Sequence, residues 1–270
     1  MDAAARRTSP RQTRRAPDAA RLLVGTSGWS YRHWRGVFYP ERLPARDWLR
    51  FYAQHFPTVE LNTSFYRRPA AASFTRWREA AGPGFLFAVK ANRYITHVRR
   101  LREPADPVAR ELEAVRPLGD ALGPILLQLP PDLRLDLERL RELVDALPKD
   151  RRFTVEFRDQ SWDSADVYDL LGERGVAVCL HDWRGRPWPV VAAENGAPFA
   201  YVRLHGPTGA YTGRYSARAL AVWVERCARW RRAGRDVFCY FNNDAAGNAV
   251  HDALHLRDLL GEDAGVAGPA

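Results

Sequence analysis

The chain has 270 residues, of which 46% are hydrophobic and 27% are charged, and its formal net charge is +9. These values are ordinary for a globular protein, and the length suits one α/β barrel with a large buried core. No run approaches 18 apolar residues, which excludes a helix that spans a membrane and predicts no membrane partner.

The two ends of the chain differ in composition from the middle. Residues 1–21 hold six arginines against Asp2 and Asp18 and contain no apolar stretch, so they predict a disordered basic tail rather than a secretory signal. Residues 262–270 are expected to be flexible, which leaves one domain over residues 22–261. Three cysteines without a CxxC pair argue against a disulfide framework and predict a cytoplasmic protein.

Eight short β-rich runs recur along this domain, most of them separated by helical patterns. Strands that alternate with helices indicate parallel β/α units, and eight such units predict a single (β/α)8 TIM barrel. An open doubly wound sheet is the alternative fold, although it would usually show a glycine-rich turn after the first strand. The predicted strands are Leu22–Thr26, Thr58–Asn62, Phe85–Asn92, Pro124–Leu129, Phe153–Arg158, Val176–His181, Phe199–His205 and Asp236–Asn242.

Local signals mark several of the helices. Asp136 and Ser216 are each followed by a helical apolar pattern, so they are predicted to be N-caps. The segment between strands six and seven is short and contains Pro187 and Pro189, which makes a full helix there doubtful. The barrel is therefore expected to be somewhat irregular at this point.

Several strands end in an alternation of apolar and polar residues. The apolar face should pack on the helices, so the polar face must point into the barrel. Catalytic residues of this fold lie at the carboxyl ends of the strands. We therefore expect one shared site from Glu60, Asn62, Lys90, Asn92, Glu156, Arg158, His181, Arg203, His205, Tyr240 and Asn242.

This cluster has a structural alternative, a buried ion-pair network that only fills the barrel mouth. The functional interpretation is favoured because buried charge is a poor source of stability and because ionisable groups in a concave site are functional candidates. Lys90 adds weight, since Lys90 and Lys149 are the only lysines among 41 basic residues.

The loops at the same end suggest a ring-bearing or phosphate-bearing ligand. Aromatic rings can stack on bases or sugars. Glycine-rich segments after strands seven and eight resemble phosphate loops, although glycine also serves in ordinary turns. Asp244 is expected to cap the helix that follows. The aromatic residues are Trp29, Tyr31, Trp34, Phe65, Tyr66, Trp162, Trp183 and Trp188.

At these motifs the chain resembles the family named domain of unknown function 72, also called YecE-like. The matching stretches include GTSGWSYRHWRGVFYP, VELNTSFYRRP, FAVKANRYITH, VEFRDQSW, YVRLHG and YFNND, in order along the chain. The resemblance implies a TIM barrel and leaves the activity open. It implies recurrent polar positions at Glu60, Asn62, Tyr66, Lys90, His97, Gln128, Glu156, Arg158, Trp162, Arg203, His205, Asn242, Asn243 and Asp244. Asp159 departs from the family pattern, in which histidine often follows the arginine.

The leading hypothesis is an enzyme of hydrolase or lyase type that performs acid/base chemistry on a small anionic, phosphate-bearing or nucleotide-like substrate. Glu60 or Glu156 would be the general base, and Lys90 or His205 the acid or electrostatic stabiliser. Arg158 and Arg203 would hold the anion. The remaining predicted substrate contacts are Asn62, Tyr66, Asn92, Gln128, Trp162, His181, Asn242, Asn243 and Asp244.

Three alternatives stay open. A divalent metal held by Glu60, Glu156, His181 and His205 would suit a sugar-type isomerase or hydrolase, but the neighbouring basic residues argue against it and no cofactor is predicted. Lys90 could form a Schiff base with a carbonyl substrate. The third alternative is a non-catalytic nucleic-acid-binding barrel that uses the basic tail. The sequence gives no oligomeric state.

Overall fold

Eight parallel strands form the centre of the computed structural model, which describes residues 20–261. All eight predicted strands are confirmed in order, and each observed boundary lies within two residues of the predicted one. The strands are β1 (Leu22–Thr26), β2 (Thr58–Leu61), β3 (Leu86–Lys90), β4 (Leu122–Gln128), β5 (Phe153–Glu156), β6 (Ala177–His181), β7 (Phe199–Leu204) and β8 (Asp236–Phe241).

Helices surround the strands and connect most of them. The predicted caps are confirmed: the Asp136 carboxylate accepts from the Arg139 amide, and the Ser216 hydroxyl accepts from the Ala219 amide. The helices are α1 (Trp48–His55), α2 (Thr63–Tyr66), α3 (Ala71–Ala81), α4 (Ala105–Val115), α5 (Leu137–Ala146), α6 (Ala165–Gly172), α7 (Ala217–Arg232) and α8 (Asn248–Leu259).

The connection between β6 and β7 is irregular, as predicted. Within this fully described segment, two short 3-10 turns, Trp183–Gly185 and Val190–Glu194, stand in place of an α-helix. The fixed φ angles of Pro187 and Pro189 fit this extended connection.

The sheet closes on itself between β1 and β2. The hydrogen-bonded order runs β1-β8-β7-β6-β5-β4-β3-β2, and a bridge between Ser27 and Glu60 joins the two ends. Gly25 allows β1 to approach β2, because a Cβ at this position would lie 2.2 Å from the Thr58 carbonyl oxygen. The Tyr52 hydroxyl links the same strands: it donates to that oxygen and accepts from the Thr26 amide.

Side-chain alternation along the strands separates two apolar layers. One layer lies between the strands and the helices and includes Val59, Val155 and Val202. The other fills the barrel interior with the neighbouring positions, among them Leu23, Ala88, Leu126, Cys179, Phe199, Tyr201, Phe238 and Tyr240. Polar residues on the inward face therefore lie above an apolar floor, at the carboxyl ends of the strands.

The predicted tail and C-terminal segment lie almost wholly outside the described residues. At their inner boundary, the Arg21 amide donates to the Asp236 carboxylate at 2.8 Å, which attaches this residue to β8. Among residues 20–261, no helix is both long and apolar enough to cross a lipid bilayer.

Substituting Gly25→Ala tests the closure between β1 and β2. The added methyl would overlap a backbone oxygen, so we expect destabilisation of about 1–3 kcal/mol, which is typical of overpacking. Gly123→Ala is the comparison variant and should cost less, because its Cβ would lie 3.1 Å from the nearest heavy atom, the Phe87 carbonyl oxygen. Urea unfolding followed by tryptophan fluorescence gives both values. Equal unfolding midpoints for the two variants would show that Gly25 does not set the strand approach.

Candidate active site

A buried arginine joins two carboxylates at the barrel mouth. Arg203 on β7 donates to Glu60 on β2, with Nε 2.9 Å from Oε2 and Nη2 2.7 Å from Oε1. Its Nη1 donates to Glu156 Oε2 on β5 at 2.6 Å. Each of the three residues is at most 1% exposed. Since an unpaired charge is costly at this depth, each carboxylate depends on this guanidinium.

Sequence reasoning missed two partners of Glu60. The Tyr201 hydroxyl donates to Oε2 and the Ser27 hydroxyl donates to Oε1, both at 2.7 Å. With Arg203 these bonds occupy both oxygens of the carboxylate. The spacing could have indicated Tyr201, because it precedes Arg203 by two residues and shares its inward face.

Glu156 has a second set of partners nearer the solvent. Its Oε1 accepts from Arg158 Nη2, and the ring of His205 lies 3.3 Å away through Nε2. Burial alone would raise the pKa of Glu156, but the Arg158 and Arg203 guanidiniums together hold that pKa well below its usual range. Glu156 is therefore an ionised, fully engaged carboxylate.

His205 is neutral and enclosed. Burial lowers its pKa to about 3. Its Nδ1 lies 3.2 Å from Asn242 Nδ2, and its Nε2 lies 3.3 Å from Glu156 Oε1 and 3.2 Å from Arg158 Nη2. The rings of Trp183 and Tyr211 cover it, with centroids 5.2 and 5.8 Å from the imidazole. Trp183 also lies over Arg158, with 4.1 Å between the guanidinium carbon and the ring centroid.

Lys90 lies half-buried at the end of β3, above the inner carboxylates. Its Nζ donates to Gln128 Oε1 at 2.7 Å and lies 4.0 Å from the centroid of the Phe65 ring. Among residues 20–261, no carboxylate forms an ion pair with this ammonium. Burial, followed by the positive charge of Arg203, lowers the pKa of Lys90 to about 7.

The layer around Lys90 holds buried polar atoms without partners. Within the described part of the chain, Nε and Nη1 of Arg158 donate no hydrogen bond, and Asn62 Oδ1 accepts none. The Arg158 side chain is only 3% exposed, so these donors are largely removed from water. Unmet bonds of this kind are costly and are candidates for satisfaction by a ligand.

Several predicted ligand contacts instead have structural partners. Trp162 is fully buried, stacks on Phe157 with ring centroids 5.0 Å apart and donates to the Leu133 carbonyl, so it belongs to the helix layer. Asn243 is also buried and donates to the Gly213 carbonyl and to Asp252. Trp162 Nε1 thus has a backbone partner, whereas Asn243 Oδ1 accepts no hydrogen bond within the described residues.

Two further predicted contacts, Asn92 and His181, fix the backbone around the mouth. Asn92 donates to the Ser64 carbonyl and accepts from the Tyr94 amide. His181 Nε2 lies 2.7 Å from the Phe157 carbonyl, and its Nδ1 accepts from the Trp183 amide. The His181 ring thereby joins β6 to the end of β5.

The expected cap at Asp244 is wrong. Its side chain makes no capping bond to the following helical turn. Instead Oδ1 accepts from the Trp34 indole at 2.6 Å, and Oδ2 lies 2.9 Å from His33 Nε2. The carboxylate thus holds the loop after β1 against the loop after β8, and Gly247, with a φ of 75°, takes the N-cap position of α8.

The remaining aromatic residues divide by exposure. Trp34 and Trp188 are buried in the core, and Phe65 is buried beneath Lys90. Trp29, Tyr31 and Trp183 are half-buried, and Tyr66 is exposed. Only this second group offers ring surface to a ligand.

The side chains considered as metal ligands already have hydrogen-bond or ion-pair partners within the protein. They are Glu60, Glu156, His181 and His205. Both carboxylates accept from Arg203, and both histidine rings have the partners described above. Within residues 20–261 there is no group of three or more His, Cys, Asp or Glu side chains placed to hold a metal ion.

Comparison with known proteins places this geometry in a family. The model for the protein of unknown function DUF72 matches residues 23–270. The protein YecE of Escherichia coli K12 is 33% identical over 231 residues, which cover 78% of this chain and 82% of YecE. YunF of Bacillus subtilis is 26% identical over 269 residues, covering 88% of this chain and 94% of YunF.

Solved structures agree with this assignment. A DUF72 family protein from Thermotoga maritima superposes with a TM-score of 0.79 at 29% identity, covering 90% of this chain and all of that one. A DUF72 family protein from Enterococcus faecalis gives a TM-score of 0.75 at 20% identity, covering 88% of this chain and 95% of that one. The chain belongs to the DUF72 family.

Proposed function

We propose that this protein is an enzyme that performs acid/base chemistry on a small anionic, phosphate-bearing substrate, with Lys90 as the group that gains and loses the proton. The observation that carries the proposal is the half-buried Lys90 ammonium, which has a neutral amide partner and no carboxylate partner among residues 20–261. A general acid or base works best when its pKa lies near the working pH, and burial brings the pKa of Lys90 to about 7.

Charge balance supports an anionic substrate. Glu60 and Glu156 are offset by Arg203 and Arg158, so the inner layer is close to neutral. Protonated Lys90 then adds one uncompensated positive charge. The free Nε and Nη1 donors of Arg158 add hydrogen bonds that a phosphate or carboxylate oxygen would accept.

The proposal gives Glu60 and Glu156 a positioning role rather than that of general base. Each carboxylate is already fully hydrogen-bonded and is separated from solvent. Their function here is to hold Arg203 and Arg158 in place. His205 is neutral and covered by Trp183, and its role is to orient the Glu156 carboxylate.

Sulfate binding tests the anion site, because the charge of sulfate is constant between pH 5.5 and 9. Below pH 7 Lys90 is protonated and attracts the anion, and above pH 7 it loses its charge. We therefore expect sulfate affinity, measured by calorimetry, to fall as pH rises through about 7. Lys90→Met should weaken binding at pH 6 by about tenfold or more, the value of one charge-assisted hydrogen bond.

Lys149→Met is the matched control, since Lys149 is the other lysine of the chain and is exposed. It should bind sulfate with the affinity and pH dependence of the wild type. An equal response in the two variants, or a wild-type affinity that does not change with pH, would contradict the assignment of Lys90.

Covalent chemistry at Lys90 is a second candidate, favoured by the burial of its amine, which lowers the pKa to about 7. A neutral amine attacks a carbonyl carbon to form a carbinolamine, which loses water to give an imine. The same mouth would then hold the carbonyl substrate by its anionic group.

Pyridoxal 5′-phosphate, an aldehyde that carries a phosphate, is a suitable probe for this imine. At pH 7 we expect borohydride to fix the probe on Lys90 at concentrations that leave Lys149 unmodified, because Lys90 supplies the neutral amine at lower pH. Peptide mass spectrometry separates the two sites. Labelling confined to Lys149 or the chain terminus would remove this candidate.

A further inference from the structure

A concave region lies beside the barrel mouth. It is a cavity of about 510 Å³ between the loop that follows β1, the end of β2 and helices α1 and α3. This volume falls in the range of small-molecule sites. We call it the side cavity; its walls are formed chiefly by Trp29, Tyr31, Leu49, Leu61, Asn62 and Trp77.

Aromatic and aliphatic groups dominate the walls of the side cavity. Trp29 and Trp77 are half-buried and meet edge to face, with ring centroids 5.2 Å apart and planes at 83°. Leu49 and Leu61 are buried beneath them. Such walls favour a flat, largely apolar group that stacks on an indole face.

One polar atom distinguishes the side cavity from a simple apolar gap. Asn62 is among its lining residues, and its Oδ1, which is buried, accepts no hydrogen bond from the described chain. A carbonyl oxygen in this condition is best satisfied by an N–H donor. The aromatic part of the ligand should therefore carry nitrogen-bound hydrogen.

The side cavity also adjoins the proposed anion site. Leu61 on β2 pairs with Val89 on β3, so the next residues along these strands, Asn62 and Lys90, are neighbours at the barrel rim. Arg46 and Arg76 stand exposed on the outer side of the cavity and add positive charge. A ligand with a ring at Asn62 and an anion at Lys90 would span the two regions.

We propose that the side cavity binds the base of a nucleoside monophosphate, whose N–H group donates to Asn62 Oδ1 and whose phosphate lies against Lys90 and Arg158. This inference rests on the proposed function, since it places the anionic end of the same substrate at the mouth. It adds the substrate class and a site for its ring.

Calorimetric titration with AMP, adenosine and ribose 5-phosphate tests the inference. The wild type should bind AMP about tenfold or more tighter than ribose 5-phosphate, as expected for one stacked base. Ala80→Phe fills the side cavity from α3 and should reduce AMP affinity to that of ribose 5-phosphate, while binding of ribose 5-phosphate itself is unchanged. Ala72→Phe, at an exposed alanine of the same helix outside the cavity lining, should bind all three compounds as the wild type does.

Asn62→Leu provides a second variant that does not add bulk to α3. Asn62 makes no capping hydrogen bond to α2, so its replacement should leave that helix intact and weaken AMP and adenosine but not ribose 5-phosphate. If Ala80→Phe and Asn62→Leu bind AMP as tightly as the wild type, or if the wild type does not prefer AMP to ribose 5-phosphate, the inference is overturned. A failure of the proposed function would be seen differently, because Lys90→Met would then leave ribose 5-phosphate binding unchanged. In that case, loss of adenosine binding in Ala80→Phe would still support the side cavity.

Discussion

The ion pairs of Arg203 with Glu60 and Glu156 hold together the strand ends at the barrel mouth. Three charges removed from water are tolerable only while the guanidinium faces both carboxylates, so this contact fixes the relative positions of β2, β5 and β7. The same cluster also links β1 to β2, where the sheet closes, because the Ser27 hydroxyl after β1 donates to Glu60. Glu60 therefore takes part both in the ion pair with Arg203 and in the contact that closes the sheet.

The polar residues above the apolar floor form two levels with different chemistry. In the inner level every carboxylate oxygen has a partner and no side chain meets solvent appreciably. In the outer level Lys90 is half-buried, and Arg158 and Asn62 retain unmet hydrogen-bonding capacity. The inner level gives a rigid base, since its members are fixed from several strands at once. The outer level holds the groups to which the proposed function assigns proton exchange and ligand binding.

Much of this arrangement follows from local sequence. The strands were predictable from β-rich runs that lie between helical patterns, and the alternation of side chains along them brings Glu60, Glu156 and Arg203 to one place. Alternation does not predict how deeply each side chain is buried. It does not show that Glu156 is fully buried while Lys90 is only half-buried. The positions of Trp162 and Asp244 also escaped prediction, because each depends on contact with a segment distant in sequence. The side cavity lies between four separate elements, so no single stretch of sequence could indicate it.

The close approach of β1 and β2 at Gly25 has a consequence for motion. These strands are joined by the Ser27–Glu60 bridge and the Tyr52 hydroxyl, whereas β7 and β8 are in register over six residues. A small separation of β1 from β2 would break fewer backbone hydrogen bonds than a separation of β7 from β8. The loop residue Gly28 and the end of β2 both border the side cavity directly above β1 and β2. Separation of β1 from β2 would therefore cost few backbone hydrogen bonds beside the recess that Trp29 and Trp77 line.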